Sequence, residues 1–117
     1  MAVEYCTQCR WMLRASWVAQ ELLTTFGTRL GEVALVPGTG GVFRVTVRPG
    51  RAAGADVSGP DAVGDAAREQ VIWDRAVEGA FPELPQLKAR LRDVVAPDLA
   101  LGHTDRAARR AEGGPEA

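Results

Sequence analysis

Three signals follow one another in residues 2–26, which read AVEYCTQCRWMLRASWVAQELLTTF. Residues 2–6 alternate polar and apolar side chains, which indicates a short β-strand. The pair Cys6-Thr7-Gln8-Cys9 overlaps its end. Apolar residues then recur at spacings of four, three, four and four, namely Trp11, Ala15, Val18, Leu22 and Phe26. This spacing puts them on one face of a helix, which we place at residues 8–26 and expect to end at Gly27.

Two further strands are predicted before residue 48. Residues 32–36 form a short apolar run bounded by glycine and proline, which is typical of a buried strand. Residues 42–47 alternate apolar and polar side chains, which indicates a half-buried strand. The glycine-rich turn at 37–41 joins them, so we expect a β-hairpin.

The second half of the chain contains one strand and one helix. Residues 70–74 have strand character, and leucines and valines over 84–95 repeat at three and four, which predicts an amphipathic helix. Residues 49–69 have few large apolar side chains and are interpreted as a mobile insertion between strands three and four. Residues 98–117 are polar, and we expect them to be frayed. A single domain over 1–105 with a disordered tail at 106–117 is therefore predicted.

The element order β-α-β-β-β-α defines an α/β fold, a mixed four-stranded sheet covered by helices. A right-handed crossover makes strands one and two parallel. Strand three is expected to run antiparallel to strand two, and strand four antiparallel to strand three. This arrangement brings residues 37–41 and 76–81 to the edge of the sheet that carries the cysteines. The insertion falls at the opposite edge, where we do not expect it to touch the chemistry.

The spacing Cys6-x-x-Cys9 at the end of a strand and the start of a helix is typical of a redox motif. Two intervening residues bring the sulfurs within bonding reach. The N–H groups of a helix start stabilise a thiolate, which is the reactive form. Arg10 adds a positive charge, and no acidic residue lies between positions 5 and 20. One alternative is a zinc site. Zinc needs four ligands, and the chain has two cysteines and one histidine, His103, so this site would have to be shared across a dimer. The other alternative is a pair of inert buried thiols.

Composition excludes several other classes of function. The 117 residues fit one domain, and 14 basic against 15 acidic residues give a net charge of −1, which argues against a nucleic-acid partner. The apolar runs are far shorter than the ~20 residues of a membrane span, and the N-terminus lacks the pattern of a signal peptide. A cytoplasmic location is therefore expected. No hydrolase triad or nucleotide-binding loop is evident, so we expect neither a bound metal nor an organic cofactor.

Six stretches of the chain form a characteristic set in this order: Tyr5–Trp11, Arg14-Ala15, residues 17–23, residues 38–43, Ile72-Trp73 and residues 87–95. Together they resemble bacterial members of the selenoprotein W/T/H (Rdx) family. The resemblance covers 2–48 and 70–105. It implies a thioredoxin-like fold and thiol-based redox chemistry, often linked to glutathione. Many animal members of the family carry selenocysteine at the second position of the motif, where this chain has Cys9.

The roles of the two cysteines follow from two conflicting arguments. By analogy with thioredoxin, Cys6 is the first and more exposed thiol and attacks, while Cys9 resolves. The selenocysteine position instead indicates that Cys9 is the more reactive atom. We favour Cys6 as the attacking thiol, with both cysteines essential.

The predicted partner site consists of Arg10, Thr39, Gly40 and Gly41, with glutathione as a co-substrate or protein thiols as partners. The glycines would let a partner's backbone approach closely, or they serve only to close the hairpin. Arg10 and Arg14 either attract the carboxylates of glutathione or are solvated. The leading hypothesis is a thiol–disulfide oxidoreductase. The alternative is a redox-sensing interaction module that does not turn over, and the oligomeric state is left open.

Overall fold

A computed structural model of the chain describes residues 1–48 and 69–113. Its elements are β1 (Ala2–Cys6), α1 (Met12–Phe26), a 3-10 turn (Gly27–Arg29), β2 (Ala34–Gly38), β3 (Phe43–Val47), β4 (Gln70–Asp74), α2 (Arg75–Glu78), α3 (Leu84–Val95) and α4 (His103–Gly113). The insertion predicted at 49–69 lies, apart from Glu69, outside the described residues. The final part of the predicted tail, residues 114–117, lies outside them as well.

The four strands form one mixed sheet in the order β2-β1-β3-β4. β1 is parallel to β2, with Cys6 opposite Gly38, and antiparallel to β3, with Tyr5 opposite Phe43. β3 is antiparallel to β4. These pairings confirm the predicted α/β fold, the parallel pairing of strands one and two, and the antiparallel pairing of strands three and four.

The predicted hairpin between strands two and three is wrong, because β1 lies between them. β1 and β3 alternate buried side chains, whereas β2 is mostly exposed and takes the edge of the sheet. Neighbouring strands lie about 4.8 Å apart, so the β2–β3 connection must cross about 10 Å over the end of β1. Gly40 and Gly41 allow this crossing with φ angles of 76° and 77°. The same edge position explains why β2 is not the buried strand that its apolar sequence predicts.

The core lies between the sheet and helices α1 and α3. Its fully buried members are Val3, Phe43, Val45, Val47, Ala15, Val18, Leu22, Phe26, Leu87 and Leu91. The predicted apolar faces of both helices are therefore confirmed. α3 has the bounds that its periodicity predicts, with proline in the first turn, where no backbone N–H is needed. α1 begins later than predicted because Arg10 has a φ of 61°, which interrupts helical geometry.

Helix α4 occupies residues 103–113, where the sequence leads us to expect frayed and disordered chain. It packs against α3 and buries Ala108. Arg92 Nη1 donates a hydrogen bond to Asp105 Oδ2 at 3.1 Å, and Arg90 Nε donates to Glu112 Oε1 at 3.0 Å. The alternating charges of this segment therefore pair with α3 as well as meeting solvent. In the described part of the chain, no helix is both long and apolar enough to cross a membrane.

Candidate redox site

The cysteine pair lies where β1 ends and a tight turn begins. Cys6 is the last residue of β1 and is 1% exposed, whereas Cys9 lies in the turn and is exposed. Both thiols are free, and the Cys9 thiol donates a hydrogen bond to the Cys6 sulfur at 2.6 Å. The Arg10 N–H donates to the Thr7 carbonyl, which folds the turn back on itself.

The premise that Cys6 is the more exposed thiol is wrong. Cys6 still belongs to the sheet, where it pairs with Gly38 of β2, and its side chain is buried. Cys9 has left the sheet and faces solvent. A partner that approaches from solution therefore meets the sulfur of Cys9 first.

The two thiols have opposite pKa shifts because they share one hydrogen bond. The bond donated by Cys9 lowers the pKa of Cys6, and backbone N–H groups including that of Gly41 lower it further, while burial opposes them. The same bond raises the pKa of Cys9, since the proton is held between the two sulfurs. The pair therefore ionises as a unit, with the negative charge centred on Cys6 and the proton on Cys9.

The N–H groups that stabilise the thiolate come from turns rather than from the start of α1. The first residue of α1 is Met12, and Trp11 is its N-cap, so the helix start lies beyond both cysteines. The backbone groups that lower the pKa of Cys6 belong to Gln8, Cys9 and Gly41. The prediction that N–H groups at the start of the helix stabilise the thiolate is therefore wrong.

The glycine-rich connection is held against the cysteine turn. The backbone N–H and the hydroxyl of Thr7 both donate to the Gly38 carbonyl at 2.9 Å. A Cβ on Gly38 would lie 2.9 Å from Val42 Cγ1, which leaves no room for a side chain. Gly41 directs its N–H at the cysteine pair.

The remaining predicted partner residues lie at the surface around this contact. Thr39 and Gly40 are exposed on the same connection as Gly41, and Arg10 is exposed beside Cys9. Gly41 is thus the member of the predicted set whose backbone reaches the sulfurs.

A cluster of aromatic and basic residues borders the site. The sequence placed Arg14 and the segment 76–81 near the cysteines, but sequence reasoning did not single out Arg75. The Phe81 ring lies edge-on to Trp11 at 4.8 Å and to Phe43 at 5.3 Å, measured between ring centroids. The guanidinium of Arg14 lies 4.1 Å from the Phe81 ring centroid, and that of Arg75 lies 5.0 Å from both Trp11 and Phe81. These contacts confirm that the chain after strand four reaches the cysteine edge. The return of β4 to this edge is the signal that could have identified Arg75, the next residue.

The sulfur and histidine ligands do not assemble into a metal site within the described residues. Across 1–48 and 69–113, no group of three or more His, Cys, Asp or Glu side chains is placed to hold a metal ion. His103 begins α4 and contacts Arg106.

Comparisons with known proteins agree with this geometry. A model described as the Rdx family matches residues 1–93. A crystal structure of a Bordetella parapertussis protein is 49% identical, has a TM-score of 0.56, and covers 79% of this chain and 91% of its own. A selenoprotein W-related protein from Vibrio cholerae is 37% identical, has a TM-score of 0.58, and covers 80% of this chain and 92% of its own. Comparison with curated proteins gives no match. The chain belongs to the Rdx family, with a thioredoxin-like fold and a redox-related function.

Proposed function

We propose that this protein is a thiol–disulfide oxidoreductase in which Cys6 and Cys9 cycle between a dithiol and a disulfide. The observation that carries the proposal is the 2.6 Å contact between one buried and one exposed sulfur. A disulfide bond is about 2.0 Å long, so a small displacement of the Cys9 turn closes it. Because the pair shares one proton, one thiolate is available at a lower pH than in a free cysteine.

Cys9 is the attacking thiol in this proposal, which reverses the assignment favoured from the sequence. Cys9 is the exposed residue of the pair, and it occupies the position of selenocysteine in the family members that the sequence resembles. As Cys9 attacks a substrate disulfide, it passes its proton to the Cys6 sulfur. One substrate sulfur becomes bonded to Cys9, and the other leaves as a thiolate.

Cys6 then completes the cycle as the resolving thiol. The leaving thiolate takes up the proton, and the Cys6 sulfur attacks the neighbouring Cys9 sulfur. The second substrate sulfur leaves as a thiolate, and the Cys6–Cys9 disulfide forms. The substrate disulfide is reduced by two electrons and the protein pair is oxidised by two.

Glutathione disulfide and protein disulfides are the proposed partners, and the two sulfurs carry the electrons without an organic cofactor. Arg10, Thr39 and Gly40 are proposed to border the partner where it meets Cys9. Their exposed positions on the two connections beside Cys9 support this role.

Single serine variants test the proposal with glutathione disulfide as the probe. In Cys6→Ser, we expect Cys9 to retain one glutathionyl group, detected by intact mass, because no resolving thiol remains. In Cys9→Ser, the buried Cys6 should trap much less. Trapping only in Cys9→Ser would reverse the roles, whereas no trapping in either variant and no disulfide in the wild type would reject the function.

A second candidate function is a redox-sensing interaction module that does not turn over. The outward side of α1 favours it, since Met12, Leu13 and Trp17 are 57%, 83% and 49% exposed and begin close to Cys9 along the chain. The partial exposure of Trp17 fits a contact surface. A pull-down with Cys6→Ser, with and without oxidant, separates the two functions. Many transient mixed disulfides support the enzyme, and one stable complex that depends on oxidation supports the sensor.

A further inference from the structure

Arg75 is a basic side chain beside the cysteine pair that has no acidic partner in the described structure. Its Nε is buried without a hydrogen-bond partner. No ion pair joins it to another residue of 1–48 or 69–113. Other arginines of the fold do form ion pairs, as Arg44 does with Asp74 and Arg92 does with Asp105. Within residues 1–48 and 69–113, no acidic side chain therefore compensates the charge of Arg75 beside the proposed site.

Aromatic rings hold this charge in position. The Arg75 guanidinium lies over the rings of Trp11 and Phe81, and Arg14 lies over the same Phe81 ring. The ring faces attract both cations. Two guanidinium groups of like charge are thus held beside one ring, and a bound anion would offset their mutual repulsion. The hydrogen bond with Cys6 is the main influence on the pKa of Cys9 and raises it, while the positive charge of Arg75 lowers it. Arg75 therefore lies within electrostatic range of Cys9.

We propose that Arg75 and Arg14 form an anion-binding subsite that selects disulfides carrying a carboxylate close to the sulfur that Cys9 attacks. This inference rests on the proposed function and adds the chemical class of its substrate. A guanidinium presents a planar edge of N–H donors that matches a carboxylate. Contacts with the rings of Trp11 and Phe81 restrain Arg75, so less side-chain freedom is lost when the carboxylate binds.

The test measures the reaction rate of the reduced protein with three disulfide probes of different charge. They are anionic dithiobis-nitrobenzoate, neutral dithiodipyridine and cationic cystamine. We expect Arg75→Gln to slow the anionic probe about fivefold, as suits one partly solvated charge-assisted contact. The neutral probe should change less than about twofold, and cystamine should react faster. Added salt should slow the anionic reaction more in the wild type than in the variant.

Two further variants serve as controls. Arg29→Gln removes an exposed arginine at the far end of α1, about 20 Å from Met12, and should leave all three rates unchanged. Arg75→Lys keeps the charge and should retain part of the preference for the anionic probe. Circular dichroism and thermal melting verify that each variant is folded.

The outcomes distinguish this inference from the proposed function. Equal slowing of all three probes in Arg75→Gln would overturn the subsite, because Arg75 would then act only through thiol reactivity or folding. A wild type that reacts with the neutral probe but is insensitive to probe charge and to Arg75→Gln would also overturn it, while leaving the oxidoreductase in place. Reaction with none of the probes would reject both.

Discussion

Replacing Phe81 with alanine would remove the centre of the aromatic cluster beside the cysteines. Phe81 is half-buried, lies edge-on to Trp11 and Phe43, and carries the guanidinium groups of Arg14 and Arg75. We expect Phe81→Ala to destabilise the protein. The substitution also removes one of the rings that contact the Arg75 guanidinium, so this side chain should become less ordered.

The expected loss of stability follows from burial and ring geometry. Truncating a fully buried phenylalanine to alanine costs about 3–5 kcal/mol, and a half-buried ring loses roughly half of that. Each edge-on aromatic pair adds about 0.5–1.5 kcal/mol. We therefore expect Phe81→Ala to lower the free energy of unfolding by about 2.5–5.5 kcal/mol. Phe81→Leu keeps most of the apolar volume but loses both edge-on ring pairs, and should cost about 1–3 kcal/mol.

Urea unfolding followed by tryptophan fluorescence measures this difference, with circular dichroism as a second probe. Trp11 touches Phe81, so the native fluorescence should also change. The urea dependence of the free energy should stay constant if only stability changes. A loss below about 0.5 kcal/mol in Phe81→Ala, or no loss in Phe81→Leu, would refute the ring contacts as a source of stability.

Three further changes test other parts of the structure. Cys9→Ala removes the largest cause of the lowered pKa of Cys6, so Cys6 should form its thiolate at a higher pH than in the wild type, as followed by ultraviolet absorbance; an unchanged or lower pH would contradict the sulfur–sulfur bond. Gly41→Ala places a side chain at a φ of 77° and should cost about 1–2 kcal/mol, whereas Gly31→Ala, with open space around it, should cost less; equal losses would contradict the strained crossing. Ending the chain after residue 102 removes α4 and should lower the melting temperature by roughly 5–15 °C, while an unchanged value would show that α4 does not stabilise the domain.

The sequence predicted the elements whose periodicity is local. The apolar stripe of α1 and the whole of α3 follow the 3.6-residue repeat, β3 follows alternation, and β4 is a short run of strand-forming residues, so each could be located from neighbouring residues alone. The short helix α2 was missed because a single turn has too few residues to show a period.

The order of the strands could not be found in the same way. Residues 32–47 look like a hairpin because two strands flank a glycine-rich turn, yet β1 inserts between them. That choice depends on which strand buries most surface on both sides, which is a property of the whole sheet.

The candidate site was found in part for related reasons. The spacing of Cys6 and Cys9 identified the chemistry, and the topology brought Gly41 and Phe81 to the same edge. The relative exposure of the two sulfurs was predicted wrongly, because the turn at Thr7–Arg10 delays the helix start and leaves Cys9 at the surface. Arg75 carries no motif, and its role depends on contacts between distant segments.

A redox titration of the Cys6–Cys9 pair in glutathione buffers tests the central claim most directly. Samples are equilibrated at a series of ratios of reduced to oxidised glutathione, the free thiols are alkylated, and the protein mass is measured by mass spectrometry. We predict one reversible two-electron transition between the dithiol and the intramolecular disulfide, which is lost in both Cys6→Ser and Cys9→Ser. Thiols that stay reduced at every ratio, or that oxidise only irreversibly, would contradict the account.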